Sequence, residues 1–278
     1  MKLLDFYVDD LIKTALQEDI NYIDTSADLV IDEDDTTTAY FEAKAEGVLC
    51  GLEIALRVFE ILDKDFKAKV YKKDGEKVNK GDIIADLSGH TVKLLKGERT
   101  ALNILQHMSG IATMTAKAVA LCEGTNASVA DTRKTLPGLR AIQKYAVTVG
   151  GGKNHRYNLS DAVMLKDNHI DACGSITKAV EKCRKNLGHM VKIEVETRNL
   201  QEVEEALSTG VEVIMLDNMD LETMKKAVEL NNGKALLEAS GNITDETIAA
   251  VAKTGVDIIS IGALTHSVKA FDISMKIK

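Results

Sequence analysis

The chain has 278 residues, 45% of them hydrophobic and 28% charged, with a formal net charge of −8 at pH 7. That length accommodates one large domain or two modest ones with ample core, and the acidic total argues against general nucleic-acid binding. No apolar run approaches the ~18–20 residues needed to cross a bilayer, and Cys50, Cys122, Cys173 and Cys183 form no C-x-x-C pair, so reduced core thiols in a cytoplasmic protein are expected rather than a disulfide frame or zinc site.

The opening MKLLDFYVDDLIKTALQED turns acidic after a few residues and lacks a small-residue cleavage site, unlike a signal peptide. Leu4, Val8, Leu11, Ile12 and Ala15 follow helical spacing instead. Residues 36–95 alternate apolar and polar positions around turn signals at Asp74-Gly75 and Lys80-Gly81. That pattern predicts a small antiparallel sheet, with a helix near Glu53–Leu62 packed on it. The segment DGEKVNKGDII resembles the turn-and-strand pattern of lipoyl or biotinyl carrier domains, but no lysine sits in a following tight hairpin. From Gly97 to Cys122 one apolar stripe (Ala101, Ile104, Leu105, Met108, Ile111, Ala112, Val119) predicts a long helix.

From Ser128 onward a short apolar strand followed by an amphipathic helix recurs. The strands read SVAD, AVMLK, VKIEVE, EVIMLD, ALLEAS and DIISIG. Ser175, Asn199, Asp220 and Thr244 are helix caps, and Gly188 and Gly210 are stops. Continuous apolar runs suit parallel strands covered on both faces. Six such units are few for a full eight-unit barrel of ~250 residues, and an open doubly wound sheet competes. Polar or charged groups follow five of the six strands. Barrel sites draw on many strand ends in this way, whereas open sheets bind at one switch point. The expectation is an α/β protein whose second part is an irregular, incomplete barrel of about six to seven parallel strands.

Charge is unevenly placed. Residues 1–35 hold eleven acids and two bases, whereas residues 131–169 hold seven Lys/Arg against three acids. A basic window inside an acidic protein points to an anionic ligand. Arg133, Lys134, His155, Arg156 and Lys166 supply it with donors: arginine as a planar fork for carboxylates, lysine as a point charge for phosphate. Glu196 and Asp217 supply the opposite sign at two strand ends, suited to sugar hydroxyls or to Mg²⁺ held through water. Ser240-Gly241 and Gly262 offer backbone N–H groups to a phosphate. Gly150-Gly151-Gly152 lets the chain bend before Asn154-His155-Arg156. His169 is an orienting residue, and Met108, Met114 and Met215 are core. Singly, each has a plainer reading: surface ion pairs for the arginines, a structural histidine at 155, helix N-terminal acids at 196 and 217. Jointly they imply ligands that carry carboxylates, phosphates and a sugar.

The blocks GERTALNILQHMSGIAT, DTRKTLPGLR, KYAVTVGGGKNHRYNLSDAVMLKDNHI, VKIEVET, IMLDNM, LEASGNI and DIISIGALTH, in this order and spacing, resemble the signature blocks of quinolinate phosphoribosyltransferases. ALQEDINYIDTSADL resembles that family's N-terminal helix. The resemblance covers essentially the whole chain. It implies an N-terminal α/β sandwich domain (1–108, joined by 266–278), a barrel domain (109–265), and a homodimer or larger homo-oligomer. The implied reaction converts quinolinate and phosphoribosyl pyrophosphate to nicotinate mononucleotide, pyrophosphate and CO₂, with Mg²⁺ and no organic cofactor. Arg133, His155, Arg156 and Lys166 would bind the quinolinate carboxylates, with Arg99 reaching in from the partner subunit. Lys134 and Lys166 would face phosphoribosyl pyrophosphate, and Thr135 belongs to the implied substrate-binding set. Glu196 and Asp217 would hold ribose hydroxyls or Mg²⁺, and Ser240, Gly241, Asn242 and Gly262 the 5′-phosphate. Lys134, Lys166, Glu196 and Asp217 form the implied catalytic set. Asn242 stands where the family often has a second glycine, and asparagine tolerates positive φ. Three alternatives remain. A molybdate-uptake-associated paralogue is disfavoured by the intact Lys166-Asp167-Asn168-His169 block. A nicotinate phosphoribosyltransferase is disfavoured by the number of basic groups. A non-catalytic anion-binding module would have no need of Glu196 and Asp217.

Overall fold

A computed structural model of the chain describes residues 3–278. They form two compact units: residues up to 116 with Leu136–Gly151 and Leu264–Lys278, and Lys117–Thr135 with Gly152–Ala263.

In the first unit, α1 (Asp5–Asp19) buries Val8, Ile12 and Leu16, one helical face at i, i+4 and i+8; Leu4 stays exposed. After α2 (Ala27–Val30), β1 (Thr36–Ala43) turns Ala39, Phe41 and Ala43 inward by strict alternation. Short β2 (Gly47–Val48) leads into α3 (Leu52–Leu62), which buries Leu52, Ile54, Ala55, Leu56, Val58 and Phe59. Then come β3 (Lys67–Val70), β4 (Lys77–Val78) and β5 (Ile83–His90). The long helix α4 (Thr91–Leu121) starts well before Gly97, where the sequence suggested it would begin. Gly97 is interior to the helix because the Phe59 ring packs on it; a Cβ there would come within 2.8 Å of that ring. Farther along α4, Ser109 accepts from the Cys50 N–H and Thr113 from the Val48 N–H.

The remaining elements in chain order are β6 (Ser128–Ala130), α5 (Arg140–Val149), β7 (Val163–Leu165), α6 (Asp167–Cys173) and α7 (Ile176–Asn186). Next are β8 (Ile193–Thr197), α8 (Leu200–Ser208), β9 (Val213–Asp217), α9 (Leu221–Asn231) and β10 (Leu236–Ser240). The chain ends through α10 (Ile248–Ala252), β11 (Ile258–Ser260), α11 (Ala263–His266) and β12 (Ile273–Ile277). β12 pairs antiparallel with β1, completing a sheet of order β12-β1-β5-β3 in the first unit.

The second unit is built on one parallel sheet of order β6-β11-β10-β9-β8-β7, which contains all six strands expected from the sequence. β6 and β7 are its edges, so the barrel is not closed; beyond β6 a single parallel bridge joins Ala130 to Lys153. Three caps stand where their side chains suggested. Ser175 accepts from the Lys178 N–H, Asn199 from Glu202 and Asp220 from Thr223. The fourth does not. A turn at Thr244–Thr247, closed by Thr247 N–H to Thr244 O at 3.1 Å, precedes a helix that begins only at Ile248.

Candidate active site

The site of the second unit lies on one face of the parallel sheet. Alternation in β8 puts Glu194 and Glu196 on one side and Ile193, Val195 and Thr197 on the other. The register aligns Glu196 with Met215 and Met215 with Glu238, then Asp217 with Ser240 and Ser240 with Ser260. The same face therefore carries Glu194, Glu196, Asp217, Glu238, Ser240 and Ser260. Burying that many polar groups is costly unless each is paired, and the loops beyond the strands supply the partners.

The stretch from Lys153 continues beside β6: Lys153 N–H donates to Val129 O at 2.8 Å, and Asp131 N–H to Lys153 O at 3.1 Å. It carries His155 and Arg156 onto the face. The His155 N–H donates to buried Asp131 Oδ1 at 2.8 Å. The His155 ring lies with Nε2 3.0 Å from Glu194 Oε2 and 3.6 Å from Glu238 Oε1, and Nδ1 accepts the Arg156 N–H at 2.7 Å. Arg156 donates from Nη1 to Ala162 O at 2.9 Å, and its buried Nε–H has no acceptor among the described residues. Burial, and then the nearby Arg133 guanidinium, hold the Arg156 pKa below its ordinary value, partly offset by Glu194 and Asp161. Two arginines held this close need anionic charge beside them. Glu238 is pushed up to about 7, first by burial and then by Glu194; His155 and the Ser260 hydroxyl act against the shift.

At the far edge Lys166 follows β7 and donates from Nζ to Glu196 Oε2 at 3.0 Å. The His169 Nδ1 accepts the Lys166 backbone N–H at 3.0 Å. Asp217 and the Ser240-Gly241-Asn242 turn are tied through Asn218. The Asn218 Nδ2 donates to Asp217 Oδ2 at 2.9 Å, its N–H donates to Ser240 O, and its Oδ1 accepts from Asn242 Nδ2 at 3.1 Å. Asn242 has φ +50° and Gly241 φ +103°, and a side chain at 241 would overlap Asn218. Lys134 and Thr135 lie in the loop after β6, where Lys134 N–H donates to Thr132 Oγ1 and Thr135 N–H to Arg133 O. Gly262 directly follows the Ile261 N–H bond to Ala130 O. Arg99 stands exposed on α4 in the first unit.

The structure thus brings Arg133, His155 and Arg156 together, joins Lys166 to Glu196, and ties Asp217 to the Ser240 turn. Sequence reasoning assigned no role to Glu194, Glu238 or the side chain of Asp131. The available signal was alternation: a carboxylate two positions before Glu196, and another two before Ser240, share the face of the residues that were noticed. For a cation, Glu196 and Asp217 offer hard oxygen donors on adjacent strands. Each commits one oxygen, to Lys166 or Asn218, and retains the other. That set fits a hydrated Mg²⁺.

Two family descriptions match the sequence, quinolinate phosphoribosyl transferase N-terminal domain over residues 24–109 and C-terminal domain over residues 111–276. The chain belongs to the quinolinate phosphoribosyltransferase family. A probable nicotinate-nucleotide pyrophosphorylase (carboxylating) of Bacillus subtilis is 46% identical over 94% of this chain and 90% of its own length. A chloroplastic nicotinate-nucleotide pyrophosphorylase of Arabidopsis thaliana is 46% identical over 96% and 82%. Among solved structures, NadC from Streptococcus pyogenes superposes with a TM-score of 0.97 at 45% identity, covering 99% of this chain and 98% of that one. This family of phosphoribosyltransferases consists of enzymes, so the mixed α/β architecture and the enzymatic class expected from the signature blocks both hold. All four cysteines are free thiols, and no helix among the described residues is long and apolar enough to cross a membrane.

Proposed function

We infer that the chain transfers the phosphoribosyl group of phosphoribosyl pyrophosphate to quinolinate and decarboxylates the adduct, yielding nicotinate mononucleotide, pyrophosphate and CO₂ for NAD biosynthesis. One observation carries the reading: the Arg133 charge acts on Arg156, whose buried Nε–H faces no acceptor among the described residues, and Glu194 beside it shares a sheet face with the strand-end acids Glu196 and Asp217. Basic forks suit a dicarboxylate, and opposed acids suit a ribose.

In this reading Arg133, Arg156 and Lys166 grip the dicarboxylate in a subsite that His155 helps to build, and Arg99 joins it from the partner subunit of a homodimer. Lys134, Thr135 and Lys166 face the pyrophosphate. Glu196 and Asp217 fix the ribose hydroxyls, and Ser240, Gly241, Asn242 and Gly262 receive the 5′-phosphate. The pyridine nitrogen forms a bond to ribose C1 as the C1–O bond to pyrophosphate breaks. Positive charge develops on the ribose, where Glu196 and Asp217 oppose it. Mg²⁺, bound at Glu196 and Asp217 through water, would neutralise the pyrophosphate. The carboxylate next to the new pyridinium nitrogen then leaves as CO₂, and that nitrogen stabilises the electron pair left on carbon, which takes up a proton. Positioning of two mutually repelling anions supplies most of the rate. Free thiols accord with a reducing compartment such as the cytoplasm.

The test is a turnover assay with quinolinate, phosphoribosyl pyrophosphate and Mg²⁺, following nicotinate mononucleotide and CO₂ together, with nicotinate as the parallel substrate. Equal amounts of both products from quinolinate and none from nicotinate support the reading. Product from nicotinate without CO₂ would move the chain to a monocarboxylate substrate. No product from folded protein would point to the molybdate-associated paralogue or a binding role.

A further inference from the structure

The basic subsite contains one side chain whose bonds do not fit the role its charge suggests. A histidine that grips a substrate carboxylate must aim a ring N–H at it. Both ring nitrogens of His155 are already engaged within the protein. Nδ1 lies 2.7 Å from the Arg156 backbone nitrogen, and a backbone N–H can only donate, so Nδ1 carries a lone pair rather than a proton. A neutral imidazole then has its proton on Nε2, where Glu194 Oε2 stands at 3.0 Å as acceptor and Glu238 Oε1 at 3.6 Å behind it. The residue's own N–H is held by Asp131 Oδ1 at 2.8 Å. Glu194, Glu238 and Asp131 are all buried, so these anchors are fixed by the sheet: β8, β10 and the end of β6.

We propose that His155 is a positioning residue in the neutral Nε2–H form, which hangs from Glu194 and fixes the Arg156 backbone, and that it makes no hydrogen bond of its own to the substrate. Glu194 thereby becomes a positioning residue for the anion subsite, although its charge is of the wrong sign to attract an anion. Arg156 is the beneficiary. Its backbone is held by the His155 ring and its Nη1 by Ala162 O, which together direct the buried Nε–H. The same tautomer argues against a cation among His155, Glu194 and Glu238, whose ligand atoms lie within 4.8 Å of one another. A metal would need the Nε2 lone pair, which the proton occupies.

This inference rests on the quinolinate reading for its kinetic arm but not for its spectroscopic one. Protein labelled with ¹⁵N-histidine, with the His155 signals assigned by their loss in His155→Gln, is examined at neutral pH, free and saturated with quinolinate. A ring protonated at Nε2 alone, unchanged on adding quinolinate, is the expected result. A doubly protonated ring, an Nδ1–H form, or conversion to imidazolium on adding quinolinate would overturn the proposal. If quinolinate is not a substrate, the free-protein spectrum still decides the tautomer, while the turnover assay alone decides the function.

The kinetic arm turns on sign. Glu194→Gln keeps the acceptor for Nε2–H and removes a negative charge, so quinolinate KM should stay level or fall. Glu194→Leu removes the acceptor as well, and quinolinate KM should rise about tenfold or more with the KM for phosphoribosyl pyrophosphate little changed. His155→Asn, which retains an acceptor near the Nδ1 position, should recover much of what His155→Ala loses. If His155 grips the carboxylate directly, Glu194→Leu should not weaken quinolinate binding, and Asn should rescue nothing; either finding refutes the tether.

Discussion

Burial disfavours the charge on Arg156, and the nearby Arg133 guanidinium disfavours it further. Such a pair is tolerable only where an anion completes it. Loss of one charge-assisted bond costs about 1.5–3 kcal/mol, so Arg133→Ala and Arg156→Ala should each raise quinolinate KM by about 10- to 150-fold. Circular dichroism should show the fold retained, and unchanged kinetics in either variant would remove that residue from the subsite. At this scale the sequence was most legible where residue type and strand end coincided, as at Lys166, Glu196, Asp217 and Ser240. It was least legible for Glu194, Glu238 and Asp131. The first two sit inside runs whose apolar neighbours made them look like strand filler, and their chemistry comes from a histidine delivered by a distant loop. Pairing across that much chain leaves no local mark.

Strands and helices were readable where one local rule dominated. The six parallel strands announced themselves as apolar runs, and Ser175, Asn199 and Asp220 cap their helices by the hydrogen bond their side chains are suited to make. Ser175→Ala and Asn199→Ala should each lower stability by about 1 kcal/mol, read as a lower denaturation midpoint with kcat unchanged, since neither cap touches the site. Two boundaries were misplaced because a tertiary or turn interaction outweighed the local signal. Gly97 looks like a helix breaker, yet it is the position in α4 where the Phe59 ring needs room. Thr244 looks like a cap, yet its carbonyl and amide close a turn with Thr247 before α10 begins.

For the molecule as a whole, pH and assembly each give a test. A carboxyl whose pKa is higher in the folded chain than in the unfolded one holds its proton more tightly when folded. Glu238 therefore contributes most to stability below its ordinary value of 4.5, and that contribution is lost as pH rises toward about 7. Glu238→Gln should flatten the fall in urea midpoint across this window, and an undiminished slope would mean that another group is responsible. If each site borrows Arg99 from its neighbour, Arg99→Ala and Arg133→Ala proteins, each nearly silent when assayed far below its raised quinolinate KM, should regain about a quarter of wild-type activity at that concentration once unfolded and refolded together. Half the dimers would then be mixed, with one of two sites intact. No recovery would place Arg99 outside the partner's site. A different consequence follows from the pairing of β12 with β1. On the ribosome β1 emerges early, yet the strand that covers its outer edge is translated only after the entire parallel sheet. Until residues 273–277 appear, the nascent chain carries the Ala39–Ala43 edge bare, open to any other extended segment. Order of manufacture and order of assembly are thus opposed in this protein, and a pause in translation anywhere along the barrel prolongs the interval in which chaperones must shield that edge.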